Sequence, residues 1–173
     1  GAVVISAVTA DVIAHYFDGD QRTFLTPDYA LNSPWELLLY TLMGMLAALA
    51  AVGFSRLLYF SEDIWGLIRI PEPTKPILGG IMLGVLGIFS FQIDGIPRVF
   101  GVGYNTIESS LFSQLTLQMT FGLLLLKLLA TTLTLGSGGS GGIFAPSLFM
   151  GAMLGGTFGH IAHSMFPETV APS

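Results

Sequence analysis

A run of glycine and serine stands between two strongly apolar stretches, and it restricts the possible folds of this chain more than any other feature. Residues 136–142 read GSGGSGG, with LLLLKLLATTLTL before them and IFAPSLFMGAML after them. A flexible Gly/Ser tether would join separate domains in water, and these apolar flanks leave it no room to reach water. Irregular backbone at membrane depth is tolerated only where it is buried in protein or lines a cavity.

The composition indicates that the folded surface faces lipid. Hydrophobic residues make up 52% of the 173-residue chain and charged residues only 10%, whereas a soluble domain carries about a quarter charged residues. We therefore predict an all-α, polytopic transmembrane fold with tilted or broken helices. The net charge of −5 and six scattered basic residues argue against nucleic acid as a partner. The absence of cysteine excludes disulfides and thiolate metal sites.

Hydropathy divides the chain into apolar segments joined by polar or Pro/Gly-rich loops. The second segment continues beyond Phe54 as a long helix that emerges near Arg56 or a little later, and the loop RIPEPTKP after it is predicted to hold no helix because of its prolines. Three basic residues around that loop favour a cytoplasmic position. Both chain ends are abrupt, so we expect a piece of a longer protein. The predicted segments are Ala2–Phe17, Leu37–Phe54, Ile77–Phe91 packed on its glycine face, a short helix at Tyr104–Phe112, Leu115–Leu135 and Ile143–Met165.

The start of the last segment has the chemistry of an anion site. The first four N–H groups of a helix lack internal partners, and the helix dipole places partial positive charge there. Pro146 suits a first helical turn because its missing N–H costs nothing there. We therefore place the helix start near Ile143, with amides at residues 142–144 directed into the space before it. Glycines allow the sharp turn and the close backbone approach; they are Gly136, Gly138, Gly139, Gly141 and Gly142.

The glycine run has two other interpretations. GSGGSG formally fits the dinucleotide motif G-x-G-x-x-G, but the apolar stretch before it is too long for a strand, and the first acid downstream is Glu168; a nucleotide-binding enzyme is thus a remote alternative. A structural helix bundle without a ligand is the other alternative. Glycines at 151, 155 and 159 recur every four residues and predict a face that packs tightly against a neighbouring helix.

Isolated polar residues inside the segments leave alternatives open. Lys127 is an intramembrane charge, and such a charge either acts electrostatically on a pore or reaches water along its flexible stem. Asp11 and His15 lie four residues apart, as a proton relay or as a satisfied surface pair. Histidines 160 and 163 could hold a metal but lack a third ligand, and their place near a helix C-terminus suits the dipole. Three aromatic residues are predicted interfacial anchors: Trp35, Tyr40 and Trp65.

The stretch GSGGSGGIFAPSLFMGAMLGGTFG closely resembles the Gly-x-Phe-x-Pro segment of CLC-type chloride channels and chloride/proton exchangers, and PRVFGVGYNTI resembles the stretch ahead of it. The resemblance implies a homodimer in which each subunit has its own pore, built from two inverted halves. Residues 1–173 would be a partial transmembrane domain, covering the end of the first half and the front of the second, in the order of family helices I to N. The resemblance also implies chloride-binding backbone N–H groups at Gly142, Ile143 and Phe144, supported by Gly136, Ser137, Gly138, Gly141, Ala145 and Pro146.

Other pore elements of that family are missing from this sequence. The serine of Gly-Ser-Gly-x-Pro, the glutamate of Gly-x-Glu-Gly-Pro and the pore tyrosine are not found, so this stretch alone should form one part of a pore. The resemblance implies anion transport with chloride as ligand, no enzymatic activity, no metal and no cofactor. The expected partners are the lipid bilayer and the remainder of the same chain, in a bacterial inner membrane or another plasma membrane. It leaves open whether the protein is a voltage-gated channel or a proton-coupled antiporter.

Overall fold

A computed structural model describes residues 1–19, 26, 34 and 36–166, and this part of the chain is helical without any strand. The predicted all-α fold is confirmed. A short 3₁₀ helix, Glu72–Thr74, precedes the third α-helix. The α-helices are α1 Ala2–Asp18, α2 Glu36–Leu67, α3 Lys75–Asp94, α4 Tyr104–Leu111, α5 Leu117–Gly136 and α6 Phe144–Met165.

Within the described residues, three helical stretches are long and apolar enough to cross a membrane: Glu36–Leu67, Glu72–Gln92 and Leu117–Gly136. The first of these, α2, has 32 residues, which makes it about 48 Å long at 1.5 Å per residue. A hydrocarbon core is about 30 Å thick, so α2 must tilt strongly or project from the bilayer. The chain is therefore a multi-pass integral membrane protein, as predicted.

The loop RIPEPTKP was predicted to hold no helix, and this prediction is wrong for its second half. Residues Glu72–Thr74 form the 3₁₀ helix, and α3 begins at Lys75 with Pro76 in its first turn. Proline is tolerated there because the N–H that it lacks would have had no helical partner. The Lys75 Nζ donates to Glu72 Oε1 at 2.8 Å across this junction, and the Lys75 side chain is buried.

The core lies where α4, α5 and α6 meet. It consists of five buried apolar residues: Ile107, Leu115, Leu123, Phe149 and Met153. A polar contact crosses the same region, because the Thr157 hydroxyl donates to Thr120 Oγ1 at 3.1 Å and both residues are buried. Helix α5 also contacts α2 and α3, so it links these two helices to α6.

The glycine stripe of α6 was predicted to be the tightly packed face, and the structure corrects this at Gly151 and Gly155. A Cβ at Gly151 would have no neighbour within 4 Å, and at Gly155 it would meet only Met43 Cε, at an ordinary 3.5 Å. The close contact is at Gly156, where a Cβ would lie 2.6 Å from Ser110 Oγ and 3.3 Å from Thr120 Cγ2. Gly156 faces α4 and α5, whereas Gly151 and Gly155 have no such close contact with that core.

The glycine face of α3 packs against protein as predicted, at two of its positions. A Cβ at Gly79 would overlap the Ser137 side chain, and one at Gly87 would overlap the Phe100 ring. These two glycines are eight residues apart and therefore lie on one helix face. Gly80 and Gly84 have open space around them, so only one line of α3 needs glycine.

The aromatic residues predicted as interfacial anchors differ in outcome. Trp65 is buried, with 7% of its surface exposed, because its indole packs beside the end of α5: Cδ1 lies 3.1 Å from the Cβ position of Gly136. The prediction for Trp65 is therefore wrong. Tyr40 is exposed, and its hydroxyl donates to Glu36 Oε2 at 3.2 Å. Trp35 lies outside the described residues.

Candidate anion site

The first half of the glycine run is an ordered helix C-cap. The Gly139 N–H donates to the Thr134 carbonyl at 2.9 Å, and the Gly138 N–H donates to the Leu135 carbonyl at 3.0 Å. This pair of bonds is the Schellman motif, which requires a left-handed residue just beyond the helix end. Gly138 fills that position with φ 84°, a conformation that favours glycine. The start of the run is thus fixed to α5 and does not behave as a tether.

Close contacts with α2 and α3 hold this capped end in place. The buried Ser137 donates its hydroxyl to the Thr134 carbonyl at 3.1 Å and packs against Gly79 of α3. On the other side, the Ser61 hydroxyl of α2 donates to the Thr132 carbonyl at 2.9 Å, and its Oγ lies against Gly136. Two helices, α2 and α3, therefore fix the end of α5 before the run turns toward α6.

The second half of the run is open, and α6 begins directly after it. Helix α6 starts at Phe144, with Ile143 as its N-cap, which confirms the predicted helix start to within one residue. Its first internal bond is donated by the Ser147 N–H to the Ile143 carbonyl at 3.0 Å. Pro146 is the third residue of the helix, in the first turn as predicted. Exposed residues line this half: Ser140, Gly141, Gly142, Ile143 and Phe144.

The amides at this helix start have no protein partner within the described part of the chain. An N-cap normally offers a Ser, Thr, Asp or Asn oxygen to the first-turn N–H groups, but Ile143 has no such atom and makes no side-chain cap bond. No described residue accepts a hydrogen bond from the N–H groups of residues 141–145. Unpaired amides and the helix dipole together favour an anion at this end of α6.

An apolar depression lies beside this helix start. Phe144 is 78% exposed and is one of the residues that line this depression. The backbone amides at the start of α6 therefore lie next to a surface that carries no charged side chain. The residues that line the depression are Ile107, Leu111, Phe144, Ser147, Leu148, Gly151 and Ala152. An anion at the amides would therefore be held by backbone dipoles beside an apolar wall.

Lys127 was predicted either to influence a pore or to reach water, and the structure contradicts the second of these. Its side chain is buried, with 3% of the residue exposed. The ammonium donates to the carbonyls of Val99 at 2.9 Å and Gly101 at 2.6 Å. The sequence signal was the single lysine in an apolar helix, but its partners lie more than 25 residues away in the chain and could not be identified from spacing.

The remaining polar candidates do not form a second site in the described residues. Asp11 and His15 make an exposed contact of 3.6 Å, consistent with the surface-pair interpretation. His160 donates from Nε2 to the Leu115 carbonyl at 2.8 Å, which ties α6 to the start of α5. Residues 1–19 and 36–166 contain no group of three His, Asp or Glu side chains that could hold a metal. Glu168, the acid of the nucleotide alternative, lies outside the described residues.

The fold and the open helix start together define a helical membrane protein in which an uncapped helix start follows a glycine run. The model of the voltage gated chloride channel family matches residues 1–173. The chain therefore belongs to the voltage-gated chloride channel family, as the Gly-x-Phe-x-Pro segment predicted.

Relatives from bacteria and a plant show the same similarity over nearly the whole chain. The putative chloride channel protein ClcB-like of Ralstonia nicotianae is 33% identical over 167 residues, which are 96% of this chain and 38% of that protein. The H(+)/Cl(-) exchange transporter ClcA of Vibrio campbellii is 28% identical over 99% of this chain and 36% of that protein. Chloride channel protein CLC-e of Arabidopsis thaliana is 31% identical over 91% of this chain and 22% of that protein. This chain thus spans little more than a third of the first two proteins.

Proposed function

We propose that this chain forms one wall of a chloride pathway in a complete transporter or channel of its family. The backbone N–H groups of Gly142, Ile143 and Phe144 would bind chloride at the start of α6. Residues 136–138, 141, 145 and 146 would give the loop its shape. The function is transport of an anion across a membrane, and binding and passage of the ion require no covalent chemistry.

The observation that carries this proposal is the uncapped start of α6. Backbone amides without partners are costly in an apolar environment, and the chain invests an ordered Schellman turn and three packed helices in presenting them. Ile143 at the N-cap leaves these donors available, whereas serine or aspartate there would occupy one of them. A ligand-free structural bundle would gain stability from such a cap, so the proposal explains the choice of residue better than that alternative.

The rest of the site would come from the remainder of the complete protein. We propose that residues 1–173 are part of a transmembrane domain that covers the end of one inverted half and the front of the next. The serine, glutamate and tyrosine that the resemblance implies would then lie in other segments. The exposed apolar surfaces of α1 and α2 would face lipid, other segments of the same chain or a second subunit of a homodimer.

Chloride binding to the complete protein tests this proposal. A Phe144→Pro variant removes one N–H in the first turn of α6, where that N–H has no helical partner, and a Phe144→Leu control keeps the N–H while removing the ring. A hydrogen bond to a charged group contributes about 1.5–3 kcal/mol, so calorimetric titration should show roughly ten- to a hundredfold weaker chloride binding for the proline variant. The leucine variant should bind within about threefold of wild type.

Folding must be verified in the same preparations, by gel filtration in detergent and by circular dichroism. A well-folded proline variant with wild-type chloride affinity would contradict the proposal. The same protein in liposomes also distinguishes the two transport modes. Proton uptake driven by a chloride gradient would identify an antiporter, and chloride flux without proton movement would identify a channel.

A further inference from the structure

The strongest feature outside the anion site is the environment of Lys127, the buried cation of α5. Its ammonium has three N–H groups. Two of them donate to the carbonyls of Val99 and Gly101, both in the connection between α3 and α4. The ammonium also lies 4.9 Å from the centroid of the Phe149 ring, within the range of a cation–π contact. Lys127 therefore joins three separate parts of the fold.

Phe149 is held from a second side by the same connection. It has no exposed surface, and the Cβ position of Gly103 lies 2.6 Å from Phe149 Cδ2. Gly103 has φ 81° and is the N-cap of α4. Glycine is favoured at this position for two reasons: the backbone is left-handed, and a side chain would overlap the Phe149 ring. The ring is thus clamped between a cation of α5 and the backbone that leads into α4.

This clamp acts on α6 close to its open end. Phe149 is five residues after Phe144, which places it about 7.5 Å further along the helix axis. A helix is stiff over this distance, so the position of the Phe149 ring constrains both the rotation and the depth of the first turn. The amides of residues 142–144 move with that turn, and their direction toward a bound ion depends on it.

We propose that Lys127 is a positioning residue that sets the orientation of the start of α6, by linking the carbonyls of Val99 and Gly101 to the Phe149 ring. The proposal rests on the proposed function for its effect on chloride. Its structural part, the ordering of α6 by Lys127, can be measured without chloride. Lys127 makes no contact with the ion and acts through Phe149.

Variants at position 127 of the complete protein test this role. Lys127→Met keeps a long stem but removes the charge and all three donors. Lys127→Arg keeps a cation that can donate to carbonyls and stack on an aromatic ring. Leu129→Met is the matched control, since it places methionine on the exposed side of the same helix, where Leu129 is 47% exposed.

Two measurements are made on each variant. Without chloride, hydrogen–deuterium exchange should become faster in Lys127→Met for peptides that cover residues 98–103 and 144–150, while Lys127→Arg and Leu129→Met should match wild type. Calorimetric titration with chloride should show a roughly two- to thirtyfold loss of affinity in Lys127→Met, the range found for coupling through packed residues. Lys127→Arg should recover most of this loss. Recovery by arginine, together with local exchange, separates positioning from general destabilisation.

The possible results give distinct conclusions. Unchanged exchange in residues 144–150 of Lys127→Met would overturn the inference, as would chloride affinity equal to wild type. Faster exchange throughout the protein in both Met and Arg variants would also overturn it, because it would indicate a purely structural role. If wild-type protein does not bind chloride, the proposed function fails, and exchange at the start of α6 alone then decides whether Lys127 positions that helix. If Lys127→Met does not fold, Phe149→Leu replaces it, and the same local exchange and affinity loss are expected.

Discussion

The backbone N–H of Gly139 donates to the carbonyl of Thr134 at 2.9 Å, and this bond marks the boundary between the two halves of the glycine run. Up to Gly139 the run belongs to the C-cap of α5, and its amides are occupied. Beyond Gly139 the chain is exposed and leads to the uncapped start of α6. A single Gly/Ser sequence thus combines an ordered turn with a set of free donors.

The first prediction concerns the turn. Gly138→Ala should destabilise the protein by about 1–2 kcal/mol, because alanine in the left-handed conformation brings its Cβ against the following carbonyl. Gly142→Ala is the control for stability, since Gly142 lies in the same run and has open space around it. Thermal unfolding in detergent should show a lower midpoint for the first variant only. Equal midpoints for both variants would contradict the C-cap assignment.

The second prediction concerns the contact between that turn and α3. Gly79→Ala should cost about 1–3 kcal/mol, the usual penalty of overpacking, because its Cβ would overlap the Ser137 side chain. The adjacent Gly80→Ala has free space and should be neutral or slightly stabilising, since alanine favours helix. Unfolding of the two variants under identical conditions is the measurement. A neutral Gly79→Ala would show that α3 does not pack against residue 137.

The third prediction concerns the polar contact between α5 and α6. Thr157→Val removes the hydroxyl that donates to Thr120 Oγ1 and should destabilise by about 0.6 kcal/mol, up to about 1.7, as for other hydrogen bonds between membrane helices. Thr41→Val is the matched control, because that hydroxyl is exposed and bonds only within its own helix. Chemical unfolding of both variants measures the difference. An equal loss of stability in both would contradict a stabilising contribution from the contact between α5 and α6.

Hydropathy and turn chemistry predicted the fold because they act locally. Long apolar segments indicated the helices, and Pro146 with the glycines before it located the start of α6 to within one residue. The short α4 was predicted from the Gly/Pro-broken stretch around it. The RIPEPTKP loop differs from its prediction, because Pro76 lies in a first helical turn, where proline does not break a helix.

Tertiary contacts decided the features that sequence reasoning missed. The burial of Trp65 depends on its contact with Gly136, some seventy residues later. The burial of Lys127 depends on backbone carbonyls in the connection between α3 and α4. Every residue type has such a carbonyl, so the sequence does not show which ones the lysine binds. The contact of Gly156 could not be predicted either, because the regular four-residue glycine spacing lies on the neighbouring face and includes Gly151 and Gly155 instead. Such contacts follow from helix rotation, which the hydropathy of an almost uniformly apolar helix does not fix.

The central claim is that free backbone N–H groups at the start of α6 bind chloride, and replacing one amide by an ester tests it most directly. The α-hydroxy analogue of phenylalanine at position 144 of the complete protein removes the N–H but keeps the side chain. A matching ester at Ser147 removes an N–H that is already bonded to Ile143. We predict roughly ten- to a hundredfold weaker chloride binding for the ester at position 144 and a much smaller change for the one at 147. Wild-type chloride affinity with the ester at 144, in a folded protein, would contradict the account.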